Sequence, residues 1–394
     1  MKMNARLFVR MALATVMACV ACGAQAAAAK VIRIGEIEAE TGPYATYGWM
    51  SAQGLRLAVH EVNASGGFRV AGQLYRLQLT QDDTRGEPRE GVVQFKQLMQ
   101  DNVHFVFGPF LSNIYQAIHP IALQNSKKFL MFAGATAAHG DLGKPGNEFL
   151  LRTFAWDGGA DGFGKGMVDL LKQRGVKNVA MLYPNDAVGR LLGGIYAKLF
   201  QQAGIKLEIE LFEPGTKDFT AALSKLALDK PQYLFPGYTD GVLYDVVRQA
   251  TNLGLFRKFF IVRGSIAPAL KNKDAIDDYI AYTPKYFEQA EKTSKPVARF
   301  IDEYKAYYHS PFPYAQAPLC VSSCYDQLYM LIDAMKKAGT TTDLPAIRKQ
   351  LIGMHYDGLW RMTFDPKGEE VFDYDIVEVT HGGRIHVIEK HMVQ

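Results

Sequence analysis

Residues 31–83 read VIRIGEIEAETGPYATYGWMSAQGLRLAVHEVNASGGFRVAGQLYRLQLTQDD, and this segment sets the pattern of the whole chain. Its first seven residues, VIRIGEI, form the short apolar run typical of a buried strand. Apolar residues then recur with the spacing of a helix that faces a core, at Leu55, Ala58, Val59 and Val62. Residues 63–67 end this helix, and YRLQLTQDD at 75–83 is again strand-like. The order predicts a βαβ unit with parallel strands.

The same alternation of strand and helix continues along the chain. Further short apolar, β-branched or aromatic runs occupy residues 104–109, 129–136, 149–154, 178–185, 207–213, 231–238 and 258–265. Strands that alternate with helices predict parallel sheets of the α/β class. Because these nine runs exceed what one compact sheet of this kind usually carries, we expect two doubly wound parallel-sheet lobes, with a break near residues 153–159.

The later sequence is predicted to contain two longer helices and a final pair of strands. The helices are expected at Pro296–Tyr308 and Val321–Ala338, and the strands at residues 372–380 and 384–391. His381, Gly382 and Gly383 join these two strands.

The first 26 residues have the pattern of a secretory signal peptide. Lys2, Arg6 and Arg10 precede an apolar stretch that is too short for a membrane span, and Ala24-Gln25-Ala26 is a small-x-small cleavage site. We therefore predict a periplasmic protein. A lipid anchor at Cys22 is the less favoured alternative, because Cys19 stands where a lipobox usually has leucine.

The charge of the chain argues against nucleic acid as a partner. The formal net charge of +4 falls to +1 when the three positive residues of the leader are removed, and no basic run remains. Cys320 and Cys324 are the cysteines outside the leader, four residues apart at the start of a predicted helix. Their spacing permits a disulfide but favours two buried thiols, and the segment supplies too few ligands for a metal site.

The sequence contains no recognisable catalytic motif or cofactor site. No G-x-S-x-G or Walker motif occurs in the sequence. His60-Glu61 does not begin an H-E-x-x-H motif, because Ala64 stands where the second histidine would be. Asp82 and Asp83 are neighbours on a strand and point to opposite faces, which favours loop capping over acid–base chemistry. We therefore predict a protein that is not an enzyme and that has no cofactor or metal.

The ends of the predicted strands carry the best candidates for a binding site. In open parallel sheets, ligands bind outside the carboxyl ends of the strands. Ser112 follows such an end and opens a helix, where it serves either as a helix cap or as part of a carboxylate site. Small residues and a hydroxyl follow another strand end, and two aromatic residues are expected on loops. These additional candidates are Gly134, Ala135, Thr136, Tyr47 and Tyr238.

The chain resembles the leucine/isoleucine/valine-binding family of periplasmic solute-binding proteins. The resemblance runs from about Val31 to Val387 and rests on IGEIEAETGPYATYGWMSAQGLRLAVHEVNASGG (34–67), DD (82–83), GPFLS (108–112), GAT (134–136) and LRTFAWD (151–157). It implies a type I fold, in which two lobes joined by three crossovers close over a ligand, without catalysis. It also implies delivery of the ligand to an ABC transporter permease in the inner membrane, by a protein expected to be monomeric.

The resemblance also assigns lobes and residue roles. The N-terminal lobe is expected to comprise residues 30–154 plus 286–364, and the C-terminal lobe residues 155–285 plus 365–394. Ser112 matches the serine that meets the ligand carboxylate, and Thr136 matches a threonine beside it. Gly134 and Ala135 match residues that offer backbone groups to the ligand. Tyr47 and Tyr238 match aromatic residues that pack on it, one from each lobe.

One half of the amino-acid recognition pattern is absent from the sequence. Amino-acid-binding members of the family place an acid after the strand that corresponds to KFFIV, but this chain continues VRGSIAP, with Arg263 and no acid. An unpaired buried ammonium group costs several kcal/mol. We therefore expect a small carboxylate without an α-amino group, such as an aromatic or keto acid. If Asp157 or Asp186 takes the place of the missing acid, the expected ligand is an amino acid instead. A ligand sensor, which signals rather than transports, is the alternative from another class of function.

Overall fold

The structure is a computed structural model that describes residues 28–42, 44–154, 158, 162–236, 240–262, 266–283, 287–313 and 318–391. The strands in this part of the chain are β1 (Lys30–Glu38), β2 (Phe68–Val70), β3 (Gln73–Asp83), β4 (Phe105–Phe107), β5 (Leu130–Ala133), β6 (Leu150–Arg152), β7 (Asn178–Pro184), β8 (Lys206–Phe212), β9 (Tyr233–Pro236), β10 (Lys258–Ile261), β11 (Asp278–Thr283), β12 (Tyr356–Asp357), β13 (Arg361–Phe364), β14 (Glu370–Phe372), β15 (Tyr374–Thr380) and β16 (Arg384–His391).

The helices lie between these strands in the order that the sequence predicts. They are α1 (Ala45–Ala64), α2 (Pro88–Gln100), α3 (Ser112–Gln124), α4 (Phe163–Gln173), α5 (Ala187–Ala203), α6 (Thr220–Ala227), α7 (Asp240–Asn252), α8 (Ala267–Lys271), α9 (Phe287–Thr293), α10 (Lys295–Tyr308), α11 (Pro318–Ala338) and α12 (Leu344–Leu351), with a 3-10 helix at Thr136–Asp141. In the described part of the chain, no helix has the length and apolar character needed to cross a membrane.

The first sheet has six strands in the order β2-β3-β1-β4-β5-β6. Strand β1 pairs in parallel with β3 and β4, so the βαβ unit predicted from the opening segment is confirmed. The core-facing positions of α1, Leu55, Ala58, Val59 and Val62, are at most 8% exposed. Burying a large aliphatic side chain stabilises a fold by about 1.5–3 kcal/mol, so this face of α1 holds the helix against the sheet.

The second sheet has seven strands in the order β16-β15-β11-β10-β9-β7-β8. Strands β7 to β11 pair in parallel, but β15 runs antiparallel to both β11 and β16. The predicted fold with two main parallel sheets is confirmed, and the antiparallel pairs lie at the sheet edges, where β2 also runs antiparallel to β3. Strands β15 and β16 are antiparallel because Gly382 and Gly383, with φ angles of 79° and 80°, close a tight hairpin between them instead of a crossover.

The two main sheets form the α/β two-lobe fold, and the chain passes between them three times. These passages lie between β6 and α4, between β11 and α10, and between β14 and β15. Helices α10 and α11 return to the first lobe, where Tyr304 donates to Gln53 at 2.5 Å and Tyr325 donates to Glu61 at 2.7 Å, both on α1. Strands β12–β14 form a small antiparallel sheet that sequence reasoning missed. The residue boundaries of the two lobes stay a prediction.

The two cysteines are buried free thiols, as the sequence favours. Cys320 and Cys324 lie in the first half of α11. Burial raises the pKa of the Cys324 thiol well above its usual value, and Glu38 and Glu36 add to the effect. The thiol therefore stays protonated at neutral pH.

Two buried carboxyl groups on β1 predict an unusual pH dependence of stability. Glu36 and Glu38 are only 3% and 4% exposed. Burial raises the pKa of Glu36 to about 8, although Arg56 opposes this shift, and raises the pKa of Glu38 well above its usual value. A carboxyl whose pKa is raised on folding stabilises the protein fully below its unfolded pKa, and this contribution is lost as the pH rises through the folded pKa.

We therefore expect the thermal unfolding midpoint to decrease as the pH rises from 5 to roughly 8.5. Over this range the free energy of unfolding should decrease by an amount on the order of a few kcal/mol. The substitution Glu36→Gln should make this fall shallower, because it removes a group that must ionise in the interior. Glu303→Gln on the exposed face of α10 is the control and should leave the slope unchanged. An unfolding midpoint of the Glu36→Gln protein that falls as steeply as that of the parent would contradict the prediction.

Candidate functional site

Ser112 lies where β4 ends and α3 begins, at the carboxyl-end edge of the first sheet. The hydroxyl does not cap the helix, because the N-cap residue is Leu111 and no side-chain cap is present there. The Ser112 Oγ instead accepts a hydrogen bond of 3.1 Å from the backbone N–H of Ala137. Ser112 is 1% exposed, so its hydroxyl joins the loop after β4 to the 3-10 helix after β5.

The first turn of α3 also presents backbone N–H groups. The N–H groups of Ser112 and Asn113 have no acceptor within the helix, because a helix leaves its first N–H groups unpaired. The Asn113 side chain donates to the Gly86 carbonyl oxygen at 3.2 Å, which fixes the turn against the loop after β3. N–H groups at a helix terminus favour negative charge, so this turn is suited to a carboxylate.

The segment Gly134-Ala135-Thr136 lies beside Ser112, and packing explains the first of its small residues. A Cβ atom on Gly134 would lie 2.8 Å from the Phe154 ring and 3.0 Å from the Phe110 ring. These rings meet edge to face with centroids 5.1 Å apart. Gly134 is therefore required by two aromatic rings of the protein. Its predicted contact with a ligand stays a prediction, as do those of Ala135 and Thr136, which are 0% and 5% exposed.

A cavity of about 50 Å³ lies next to Ser112. Its lining comes from the loop after β1, the β4–α3 junction and the β7–α5 junction, and consists of Tyr44, Leu111, Ser112, Asn113, Asp186, Ala187 and Val188. Residues from both lobes therefore meet at one point. The volume corresponds to one or two water molecules.

Tyr44 and Asp186 face each other across this cavity. The Tyr44 hydroxyl donates to Asp186 Oδ2 at 3.5 Å. Burial raises the pKa of Tyr44 to about 12, and the charge of Asp186 adds to the effect. Asp186 is also the N-cap of α5, because its Oδ1 accepts from the Gly189 N–H at 2.8 Å. One carboxylate therefore serves the helix and the cavity together.

The loop after β1, which carries Tyr44, is held by Asp83. The Asp83 carboxylate accepts backbone N–H groups from Glu40 at 2.8 Å and Arg85 at 2.8 Å, and it also accepts from the Thr41 N–H at 3.2 Å. These bonds lower the pKa of Asp83 even though burial opposes the shift. The prediction that Asp83 caps a loop is confirmed.

A buried arginine connects this site to the first crossover. Arg152, at the end of β6, is 0% exposed and forms an ion pair with Glu369. Its Nε donates to the Ala135 carbonyl oxygen at 3.1 Å, and its Nη1 donates to the Phe154 carbonyl oxygen at 2.5 Å. The same guanidinium group therefore holds the Gly134–Thr136 segment and the chain that leaves the first lobe.

Phe154 adopts a backbone conformation that is unfavourable for its residue type. Its φ angle is 68°, in the left-handed region that costs a side-chain-bearing residue about 1–2 kcal/mol. The Phe154 N–H donates to Glu370 Oε2 at 2.7 Å, so both backbone polar groups of Phe154 are bound by buried charged residues. Burial raises the pKa of Glu370 to about 7. Side chains from β6 and β14 thus fix the crossover geometry.

The remaining predicted site residues have different outcomes. Tyr47 was expected on a loop, but it lies in the first turn of α1, and its side chain is outside the described part of the structure. The expectation of a loop is wrong because the helix already begins at Ala45 and continues through Gly48. A Cβ on Gly48 would lie 2.2 Å from the Ala39 carbonyl oxygen, so this glycine is a close contact inside a helix. Tyr238 and Arg263 lie outside the described residues.

Among the cavity residues, sequence reasoning did not single out Tyr44, Leu111, Asn113 or Ala187. Tyr44 could have been found, since it stands in the same TGPYATYG segment as Tyr47 and precedes the helix. Leu111 and Asn113 flank Ser112 and gave no signal of their own. Among the residues that the structure describes, no group of three or more His, Cys, Asp or Glu side chains could hold a metal ion.

Two α/β lobes that meet over a cavity at their strand ends define a ligand-binding protein. The chain belongs to the periplasmic binding protein family, whose model matches residues 31–384. The match covers most of the chain, including the cavity residues and nearly all strands of both main sheets, and it ends at the first residue of β16. This family is one of substrate-binding proteins and is not an enzyme family.

Known proteins of this kind resemble the chain along most of its length. It is 26% identical to the leucine-, isoleucine-, valine-, threonine- and alanine-binding protein of Pseudomonas aeruginosa, over 89% of this chain and 90% of that one. A leucine-binding protein from Thermotoga maritima has the same fold, with a TM-score of 0.72, 22% identity and coverage of 91% and 98%. So does a solute-binding protein of an ABC transporter from Rhodopseudomonas palustris BisB5 in complex with 3,4-dihydroxybenzoic acid, with a TM-score of 0.73, 19% identity and coverage of 92% and 97%.

Proposed function

We propose that the protein is the periplasmic substrate-binding receptor of an ABC importer and that it binds a small organic carboxylate between its lobes. The proposal includes secretion into the periplasm after removal of residues 1–26, a monomeric state, and delivery of the ligand to a permease in the inner membrane. The family membership and the cavity between the two lobes support this function.

The observation that carries the proposal is Ser112, which lines the cavity at the first turn of α3. Its Oγ accepts from the Ala137 N–H, which leaves the hydroxyl hydrogen to be donated to a ligand oxygen. The first backbone N–H groups of the same turn have no acceptor within the helix. A carboxylate placed there would accept hydrogen bonds from both kinds of donor, and Thr136 stands close to it in the predicted site.

The chemistry at the other end of the ligand is inferred from the sequence that follows β10. The segment VRGSIAP at 262–268 contains no acid that could neutralise an α-ammonium group. We therefore infer an aromatic or keto acid without an amino group. The Rhodopseudomonas palustris protein in complex with 3,4-dihydroxybenzoic acid has a similar fold, which makes an aromatic acid compatible with this architecture.

A branched-chain or other amino acid is the second candidate, and Asp186 is the observation that favours it. The Asp186 carboxylate lines the same cavity as Ser112 and comes from the opposite lobe. It therefore lies where an ammonium group could pair with it. The Pseudomonas aeruginosa relative is named for amino acids. Against this candidate, Asp186 already caps α5 and meets the Tyr44 hydroxyl.

A thermal-shift panel separates the two candidates. We expect benzoate, 4-hydroxybenzoate or phenylpyruvate to raise the unfolding midpoint, since a ligand at ~100 times its Kd adds about 2.7 kcal/mol of stability. Ser112→Ala should weaken binding of the active ligand by about tenfold to a hundredfold, because a hydrogen bond to a charged group is lost. Ser224→Ala on the exposed face of α6 is the matched control and should have no effect.

Asp186→Asn distinguishes the ligand classes directly, since asparagine preserves the helix cap but removes the charge. It should leave binding of an aromatic acid intact or strengthen it. If leucine or valine raises the midpoint and Asp186→Asn abolishes that shift, the ligand is an amino acid. If no carboxylate stabilises the protein, or Ser112→Ala binds as the parent does, the proposed carboxylate site is wrong.

A further inference from the structure

A second and much larger cavity lies on the first lobe, at the edge of the sheet opposite Ser112. Its volume is about 830 Å³, within the range of roughly 300–1,000 Å³ that is usual for small-molecule sites. It is bounded by the amino ends of β5 and β6, the loops that lead into them, and helix α12. The lining consists of Ser126, Lys127, Phe129, Leu130, Gly146, Glu148, Phe149, Leu344, Pro345, Arg348, Lys349 and Ile352.

The floor of this cavity is apolar. Phe129 and Phe149 are 0% and 1% exposed and pack against each other with ring centroids 4.9 Å apart. Leu130 and Leu344, at 2% and 6% exposed, continue the apolar surface from the sheet to α12. Among the lining residues, Pro345 is exposed and Ile352 is partly exposed, so these two offer accessible apolar surface to the apolar body of a ligand.

The rim of the cavity is positively charged. Lys127, Arg348 and Lys349 line it, opposed by the single acid Glu148. Glu148 is already engaged, since its Oε1 accepts from the Gly146 N–H at 3.2 Å. In the part of the chain that the structure describes, Lys127 and Lys349 form no ion pair. The rim therefore carries three cationic groups against one acid, which leaves an excess of positive charge.

Arg348 is the most informative of these groups. Its Nη2 donates to the Lys367 carbonyl oxygen at 3.1 Å, which fixes the guanidinium group at the cavity wall. Its Nε is buried and has no hydrogen-bond partner among the described residues. Burial lowers the pKa of Arg348, although Glu148 and Asp365 oppose this shift. An anion in the cavity would add a negative charge beside the Arg348 guanidinium group, which lines the cavity.

From this combination we infer that the cavity is a second binding site, which takes an amphipathic carboxylate with an unbranched apolar body. The carboxylate pairs with Arg348, with Lys127 and Lys349 near it, and the apolar body lies on Pro345 and Ile352. The site is separate from the cleft at Ser112 and does not depend on what the cleft binds.

The test uses decanoate as the probe, with isothermal titration calorimetry on the mature protein below the concentration at which decanoate forms micelles. Decanoate is expected to bind at one site, and decyltrimethylammonium, which has the same chain and the opposite charge, is expected not to bind. Arg348→Met keeps the length of the side chain but removes the charge and should weaken decanoate binding about tenfold or more. Ser126→Trp should fill the cavity and abolish binding while keeping every charge.

Two controls make the outcome decisive. Lys336→Met removes an exposed charge on α11 outside the cavity and should not alter decanoate binding. Ser112→Ala should also leave it unchanged. Decanoate binding that is lost in Ser112→Ala, or kept in both Arg348→Met and Ser126→Trp, would overturn the inference. So would equal binding of the cation, or a self-association of the protein that Ser126→Trp abolishes, since the cavity would then be a contact between two copies.

Discussion

Replacing Arg152 by methionine is expected to lower the free energy of unfolding by about 3–5 kcal/mol, the usual cost of breaking a buried ion pair by removing one partner. Arg152 is 0% exposed, and its loss removes the guanidinium partner of the buried Glu369 carboxylate, which keeps only its hydrogen bond with His139 among these side-chain partners. It also frees the carbonyl oxygens of Ala135 and Phe154. Chemical denaturation followed by circular dichroism measures the change.

The Arg152 prediction has a matched control on a neighbouring strand. Arg361 on β13 pairs with Asp373 at 3.0 Å, but 42% of its side chain is exposed, so Arg361→Met should cost about 1 kcal/mol or less. The double variant Arg152→Met with Glu369→Gln should recover part of the loss, because it removes the uncompensated charge. A double variant that is as unstable as the two single losses added together would show that the ion pair is not the cause.

Arg152→Met is also expected to weaken ligand binding in protein that remains folded. Arg152 bonds to Ala135 in the predicted site and to Phe154 in the crossover, so both would lose their support. Phe154 with φ at 68° would relax to a common backbone conformation, and its ring would move away from Gly134. Binding that stays at the level of the parent protein would show that this clamp serves stability alone.

The substitution Gly54→Ala is expected to destabilise the protein by about 3 kcal/mol or more, although glycine to alanine normally favours a helix. A Cβ on Gly54 would lie 1.8 Å from the Val321 carbonyl oxygen. This is the contact at which α1 and α11 cross, and the obstacle is backbone, so no side chain can rotate away. The two helices would have to separate along the core of the first lobe.

Gly194→Ala is the matched control for Gly54→Ala. Gly194 lies on the exposed side of α5, and a Cβ there would meet nothing within 4 Å. The same chemical change should therefore stabilise the protein by about 0.5–1 kcal/mol. Urea denaturation of both variants should give changes of opposite sign. Two changes of the same sign would mean that helix propensity, and not the crossing of α1 and α11, governs Gly54.

The sequence predicted the element order and the location of the cavity well, because both depend on local patterns. The helical spacing of Leu55, Ala58, Val59 and Val62 identified the buried face of α1, and the apolar runs identified most strands. The strand-end rule then selected Ser112, which lines the cavity in the structure. The sequence prediction was wrong at Tyr47, which was expected on a loop but lies in the first turn of α1. Gly48, the next residue, is a close tertiary contact inside this helix.

What the sequence determined by itself is the alternation of strands and helices, and with it two lobes whose strand ends face one cavity. This follows because hydrophobic periodicity acts over a few residues and can be read locally. Only the tertiary structure decided which groups meet: Ser112 with Ala137, Tyr44 with Asp186, and Arg152 with Glu369. The last two pairs are 142 and 217 residues apart along the chain, so the packing of separate elements, and not any local pattern, brings them into contact.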